Sequence, residues 1–503
     1  MSGASPIVRT RKSVLTLGQP GDDLDWYARA VADLRQRPIA DPTSWRYQGA
    51  VHGYPGTQND PFATPGEALP SRSDQERFWN QCQHQTWYFL PWHRGYLACF
   101  EEIIAAAVVR LGGPQGWALP YWNYSAADAS ARSLPAAFLN QTNTDGSANA
   151  LWVDGRNLTG VEDAIPVSDV SLEALLHSPF TGSALGGDPG FGGPQTSFSH
   201  FGGVNGRLEN LPHNVIHVDV GGLMSDPDTA ALDPIFWLHH ANIDRLWEVW
   251  LHRNSSFVDP TSAAWLTGVT FDLHDAAGGV VTFTPSDMRD TTKVRHGYGY
   301  DDISDPVGGN RMLAAHMETV AAMTATPPQH PQLVGTSDTM VSLARAATSV
   351  KVAFNQPARQ AAIARLAAAR PVRAFLNLEN ITGTGQYGNY EVYINVPNAA
   401  TVEPLFAGHL STFGVRKASR SDSPHGGSGI TTVLEITPQI DQLHRERNWD
   451  GAHLDVRFVP VQGTSSDPSA MPGRATVRRQ ADVAGPASST EGPNIGRISV
   501  YYS

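Results

Sequence analysis

Apolar residues recur along this chain with two different periods, and the change between them divides it. From Asp23 to Arg37, Leu24, Tyr27, Val31 and Leu34 fall at helical spacing and predict an amphipathic helix. A second helix is predicted after the Pro91-Trp92-His93 corner, in RGYLACFEEIIAAAVVRLGG, closed by Gly112-Gly113. Its apolar positions run around most of its circumference, so it is expected to be buried. Helical pattern returns near His213 and again from Pro234 to His252. Two stretches lack periodicity. Trp45 to Pro70 is dense in Gly, Pro, Asn and Asp and reads as loop, with His52 inside it. Pro120 to Gly206 reads as long loops around a helical core, of the kind that shape a binding site.

Beyond Thr270 a strand or two is expected, as in VVTF. The Ala-, Pro- and Thr-rich stretch 305–370 then reads as a linker with helical pieces at Arg311–Met323 and Pro357–Ala369. After it the period drops from 3.6 to 2. VRAFLNLENI, NYEVYINV, TTVLEIT, HLDVRFVPV and GRISVYY alternate in and out between turn residues, which predicts an antiparallel β-sandwich over 371–503. The expected architecture is therefore a mainly α catalytic domain over 1–304, built as a four-helix bundle with long loops, then the linker, then the β-sandwich.

Composition narrows the class of function. The formal net charge of -12 comes without a Lys- or Arg-rich run, which argues against nucleic acid as a partner. No apolar run approaches the ~20 residues of a membrane span, and the first residues lack the apolar core of a signal peptide. With only two cysteines, Cys82 and Cys99, a disulfide scaffold is not expected; the default is a cytoplasmic protein.

The chemistry lies in the histidines. His213 and His217 are one helical turn apart, so both imidazoles can reach one metal ion. His239 and His240 point about 100° apart on a helix, so they do not serve the same ion, and periodicity does not choose between them. Upstream stand His52, His84 and His93. Two groups of imidazoles suit a pair of metals roughly 3.5–4 Å apart, and an all-nitrogen neutral donor set favours copper. His177, His200, His252, His274 and His296 have no such geometry and read as structural or surface residues.

The residues H-x8-H-R-x-Y-L from His84 to Leu97 carry a resemblance. So do E-N-x-P-H-N-x-x-H and D-P-x-F-W-x-H-H-x-N-x-D-R-x-W between Glu209 and Trp247. They resemble the copper signatures of the tyrosinase, catechol oxidase and molluscan haemocyanin family of type-3 copper proteins, over about the first 300 residues. The resemblance implies two copper ions, with His52, His84 and His93 on one and His213, His217 and His240 on the other. His239 and Asp244 are then expected just behind the ligands. It implies dioxygen as co-substrate and phenolic small molecules as substrates: monophenols hydroxylated and ortho-diphenols oxidised to ortho-quinones. Glu209 and Asn214 match the pair that handles the phenolic proton. Catechol oxidase or ortho-aminophenol oxidase activity without the hydroxylation step is the alternative, and a haemocyanin-like oxygen-binding protein is the alternative of another class.

Four further expectations follow from the resemblance. Cys82-Gln83-His84 matches the pattern in which a thioether joins the cysteine to the histidine ring. Pro227 stands where plant enzymes carry a phenylalanine over the second copper, so Pro227 and Val218 are expected at the pocket, and the pocket is expected to be open. Tyr298-Gly299-Tyr300 resembles the motif closing the catalytic core, with Arg11 stacked on it. The C-terminal domain resembles a lid that keeps the enzyme latent, a zymogen, with Leu410 or Phe413 in FAGHLSTFG as the plug. A copper chaperone is a candidate partner, and no feature of the sequence fixes an oligomeric state.

Overall fold

A computed structural model describes residues 9–143, 145–198, 203–308, 331–337, 339–355, 373–396, 403–421, 427–447, 449–461 and 491–503. Both helical pieces expected in the linker, and His200, lie outside these residues. The chain divides into two compact units. The first comprises 1–83, 88–171 and 220–306; the second comprises 84–87, 172–219 and 307–503.

The first unit is helical. Helix α1 (Asp23–Arg35) starts where the Asp22 carboxylate accepts the Leu24 and Asp25 N–H groups, and it buries the predicted Leu24, Tyr27, Val31 and Leu34. Helix α2 (Trp45–His52) corrects the expected loop. Ser44 caps it, all eight residues are buried, and Gly49 lets it press on Leu232, which a Cβ would meet at 2.5 Å. A short α3 (Arg72–Phe78) follows. Helix α4 (Phe89–Arg110) begins earlier than expected, because Pro91 sits in its first turn, where the missing N–H costs nothing. Helix α4 packs on α1, and α1 packs on α2.

The two ends of this unit are tied at Arg11. Arg9–Arg11 pairs in parallel with Tyr298–Tyr300. The fully buried Arg11 guanidinium lies 3.6 Å from the Tyr298 ring centre, as the cation–π expectation required. It donates to Glu101 at 2.6 Å, to Asp244 at 3.2 Å and to the Tyr300 hydroxyl at 2.9 Å.

The second unit is built on nine strands: β1 (Gln332–Thr336), β2 (Val341–Ala344), β3 (Thr348–Phe354), β4 (Ala374–Thr382), β5 (Tyr390–Asn395), β6 (Leu405–Leu410), β7 (Ile430–Glu435), β8 (His453–Pro460) and β9 (Glu491–Tyr502). All are antiparallel, in the order β6-β5-β8-β3-β1-β9-β4-β7, with β2 on β9. The period of 2 is plain in β8, where Leu454, Val456 and Phe458 are buried and Asp455 and Arg457 are not. One difference from the expectation stands out: strands β1–β3 come from the stretch read as linker. The strands join in one hydrogen-bonded path.

The second unit also claims two segments of the expected catalytic domain. Helix α5 (Val215–Val220) begins at its edge, preceded by a wide turn Glu209–Asn214 kinked at Leu211. Val204 lies opposite Thr431 beside β7, where Thr431 N–H donates to Gly203 O and Asn205 N–H to Thr431 O. Val204 packs with Phe375 and Val433. The final long helix, α6 (Pro234–Arg253), belongs to the first unit; it is capped by Asp233 and packs on α4.

Candidate metal centre

The first unit gathers three of the predicted ligands. His52 ends α2, His93 lies in α4 and His240 in α6, all buried. They bring one ligand atom each within 4.8 Å of one another. The His93 and His240 rings stack with centres 4.4 Å apart and planes 12° apart. Two of the three are oriented by main-chain carbonyls: His52 Nδ1 donates to Pro227 O and His93 Nδ1 to Phe89 O, both at 2.8 Å. That tautomer leaves the lone pair on Nε2, the ligand-competent arrangement. Phe236 packs edge-on to His52 and against His240, with centres 4.9 and 4.2 Å away. Sequence reasoning missed Phe236, although it stands at i−4 from His240, a spacing that places it on the same helix face.

Other expected residues of this unit resolve unevenly. His239 lies beside His240 and 5.7 Å from the Tyr124 ring. Asp244, one helical turn after His240, makes no hydrogen bond to a histidine. Its hydrogen bonds go to Arg94, Arg11, Tyr298 and Tyr300, so it is a structural anion whose charge those guanidinium groups stabilise. Pro227 sits behind His52, close enough that a Cβ on Gly53 would meet its carbonyl oxygen at 2.3 Å. The loop returns there to fix a ring through its main-chain carbonyl. Cys82 is fully buried.

The second unit gathers the other three. His84 lies 5.7 Å from His213 between ring centres, and His213 lies 4.6 Å from His217. The Nε2 atoms of His213 and His217 are 3.1 Å apart. Two imidazoles each held roughly 2.0–2.1 Å from one metal ion place their nitrogens about this far apart. His213 Nδ1 donates to the Asn214 side-chain oxygen at 2.8 Å, so Asn214 aims its neighbour's ring instead of capping a helix. Burial pushes the His213 pKa down to about 3, which keeps the imidazole neutral and able to bind metal. Val218, next to His217, is buried in α5.

Glu209 is buried too, not in a surface turn. Both of its oxygens accept the Gln85 N–H, at 2.8 and 3.0 Å. Gln85 has the left-handed φ of 53°, a turn that sends its N–H toward Glu209. Burial raises the Glu209 pKa to about 8, against the opposing pull of the Gln85 and Gly206 N–H groups. A carboxyl that titrates near neutrality can both take and return a proton there.

The same unit settles which aromatic or aliphatic group meets the histidines. Phe413 stacks face-on with His217, centres 4.0 Å apart and planes at 15°. It is edge-on to His84 at 5.5 Å and to His213 at 5.7 Å. Leu410 instead ends β6, buried opposite Tyr390. Ser411 donates from its hydroxyl to Asn214 O at 2.9 Å. The Asn389 amide donates to Val215 O at 3.1 Å and to Asp219 at 3.0 Å. These grips join positions 170 to 200 residues apart in sequence, and no local signal announces them.

Comparisons agree with this geometry. Residues 42–182 and 189–253 match the family model described as the common central domain of tyrosinase. Residues 330–480 match a domain family of unknown function. A tyrosinase from Hahella sp. is 37% identical over 495 residues, covering 94% of this chain and 100% of that protein. A chloroplastic polyphenol oxidase from Vitis vinifera is 29% identical over 61% of this chain, which spans 49% of its length. Among solved structures, a latent apple tyrosinase superposes with a TM-score of 0.58 at 21% identity, covering 99% of this chain and 97% of that one. That likeness speaks to fold.

Proposed function

We propose that this chain, which belongs to the tyrosinase family, hydroxylates monophenols and oxidises ortho-diphenols to ortho-quinones, and is latent while its C-terminal domain is in place. It is an enzyme, a copper-dependent oxidoreductase of the type-3 class. Buried neutral imidazoles, two of them with Nδ1 tied to a carbonyl, fit copper. His52, His84 and His93 would hold one ion, and His213, His217 and His240 the other. When bound, copper supplies the electron exchange with dioxygen. Two diphenols yield two quinones as one dioxygen becomes two waters, and one monophenol plus one dioxygen yields one quinone and one water.

The protein's own work is to orient and to move protons. Asn214 holds the His213 ring, and Glu209 takes the phenolic proton as the hydroxyl approaches. A thioether between Cys82 and His84 would lock that ring; an intact mass two hydrogens lower than the sequence requires is its check.

The observation that carries the reading is the face-on Phe413–His217 pair. A planar ring already lies on a histidine ring where a phenol would stack, which supports both the aromatic substrate class and latency through Phe413. The test is oxygen uptake by the copper-loaded full chain with tyrosine, catechol and ortho-aminophenol, before and after mild detergent. Detergent should raise every rate, and Phe413→Ala should be active without it. Oxidation of catechol but never of tyrosine would reduce the function to the diphenol step. Equal rates before and after detergent would remove latency.

A further inference from the structure

The second unit also holds a part-buried ring of alternating charges. Arg373, which precedes β4, donates to both oxygens of Glu435 in β7, at 2.9 and 2.5 Å, and to Asp188 at 2.6 Å. Arg207 donates to Asp188 at 2.7 Å and to Glu435 at 2.8 Å. Each guanidinium therefore touches both carboxylates. His177 stands at the margin, with ring nitrogens 3.7 Å from Asp188 and from Glu173. His177, Asp188 and Glu435 bring ligand atoms within 4.8 Å of one another. Two guanidinium groups already neutralise the carboxylates, so the cluster is an ion ring and not a cation site.

The partners come from two different parts of the chain. Asp188 and Arg207 lie in 172–219, the segment that carries His213 and His217; Arg373 and Glu435 lie in the C-terminal sheet. Forked Arg–carboxylate pairs are geometrically specific, and the partial burial of these reduces their screening by solvent. Val204 pairs with Thr431 of β7 through the hydrogen bonds of its neighbours Gly203 and Asn205, and it packs with Phe375 and Val433. Phe413 needs such a fixed base, because a ring stack alone contributes only about 0.5–1.5 kcal/mol beyond its area.

We propose that the Arg207–Asp188–Arg373–Glu435 ring is a non-covalent clasp that holds the C-terminal sheet, and with it Phe413, on the histidine-bearing segment. The inference rests on the latency proposed above. It makes latency a property of these four side chains and not of the chain connection. None of its four side chains is among the metal-binding or proton-handling residues, so breaking it changes how readily the enzyme opens and not how fast the opened enzyme works.

The test uses the copper-loaded full chain and the double variant Arg373→Met/Glu435→Gln, which removes one charge of each sign and leaves the Arg207–Asp188 pair. Catechol oxidation is followed across a detergent titration, with copper content and circular dichroism as checks of folding. The double variant should start roughly tenfold more active than the wild type, the factor that accompanies 1.4 kcal/mol of lost coupling. It should reach half-activation at less detergent and arrive at the same maximum. Hydrogen exchange at Asn205 and Thr431, whose amides bond across this junction, should quicken. A folded double variant with the wild-type titration and unchanged exchange overturns the clasp. A wild type that detergent does not activate overturns latency instead, and the exchange measurement tells the two failures apart. Should the double variant fail to fold, Arg373→Lys keeps the charge and loses the fork; it should shift the same titration less, and no shift at all overturns the clasp.

Discussion

The chain gathers imidazoles twice, by different means. In the first unit His52, His93 and His240 sit on helices, and the rings of His52 and His93 are aimed by main-chain carbonyls. In the second, His84, His213 and His217 sit on a left-handed turn, a wide turn and a helix of six residues. Side chains from distant segments hold them: Glu209 on Gln85, Ser411 on Asn214, Asn389 on Val215, Phe413 on His217. One half is fixed by local helix geometry and a buried ion core. The other is held by side chains of the C-terminal sheet, which is where the proposed latency would act.

The largest test of that contrast is to break the core of the first unit. Arg11→Met strips a fully buried guanidinium from Glu101 and Asp244 and leaves two buried carboxylates less compensated. Removing one partner of a buried pair costs about 3–5 kcal/mol, on the order of 10 °C in melting temperature. Of the 13 tryptophans only Trp87 and Trp449 belong to the second unit, so tryptophan fluorescence reports on the first. The fluorescence transition should fall by that amount. An unchanged transition would mean that the helices do not need the node, and the rigid half would lose its explanation.

Much of that rigid half is legible in the sequence, and the reason is local. Leu24, Tyr27, Val31 and Leu34 repeat a 3.6 period, and α4 and α6 are long enough for the period to show. Helix α2 is hidden because its eight residues, ending at His52 before Gly53, give too few turns, and only Ser44 marks its start. The ligand histidines are legible as motifs at fixed spacing. What the sequence hides is contact at long range. Arg207 and Glu435 are 228 residues apart, and nothing near either announces the other. The Pro227 carbonyl and its partner His52 are likewise 175 residues apart. Strands β1–β3 were lost in an Ala- and Thr-rich stretch whose alternation is short and weakly apolar.

A middle-sized effect comes from acid. Burial works to raise the Glu435 carboxyl, but hydrogen bonds and charge from Arg373, then the charge of Arg207, bring it down to about 2. Asp188 is held well below the usual range, where the charges of Arg207 and Arg373 outweigh burial. A folded pKa below the unfolded one gives stability that is present above the unfolded value and lost as pH falls through the folded one. The window here runs from about 4.5 down to about 2, and Glu435 alone contributes roughly 3 kcal/mol across it. The stability of the second unit to urea, followed by circular dichroism, should weaken below about pH 4.5 through Glu435 and Asp188, beside the mutually opposing contributions that Glu209 and His213 make at higher pH. Arg373→Met/Glu435→Gln should lose that Glu435 share of the slope. An identical slope in the double variant would place the acid-sensitive groups elsewhere.

The smallest effect is the most discriminating, because it compares two hydrogen bonds of one kind. Ser411 donates to Asn214 O at 2.9 Å in the second unit, and Tyr27 donates to Pro234 O at 2.9 Å in the first. Ser411→Ala and Tyr27→Phe each delete one hydroxyl donor to a buried carbonyl, at about 0.5–1.5 kcal/mol. If the two halves were held alike, both variants would lose stability and leave latency untouched. Because Ser411 is two residues from Phe413 and grips the residue that aims His213, Ser411→Ala should also raise the activity of the unactivated enzyme severalfold. Tyr27→Phe, on the helical side, should leave the ratio of unactivated to activated rate where it is. The measurement is that ratio for catechol oxidation, set beside each variant's melting temperature. Equal ratios in both variants would show that the grip on Asn214 is only structural, and the contrast between the two halves would then rest on Phe413 alone.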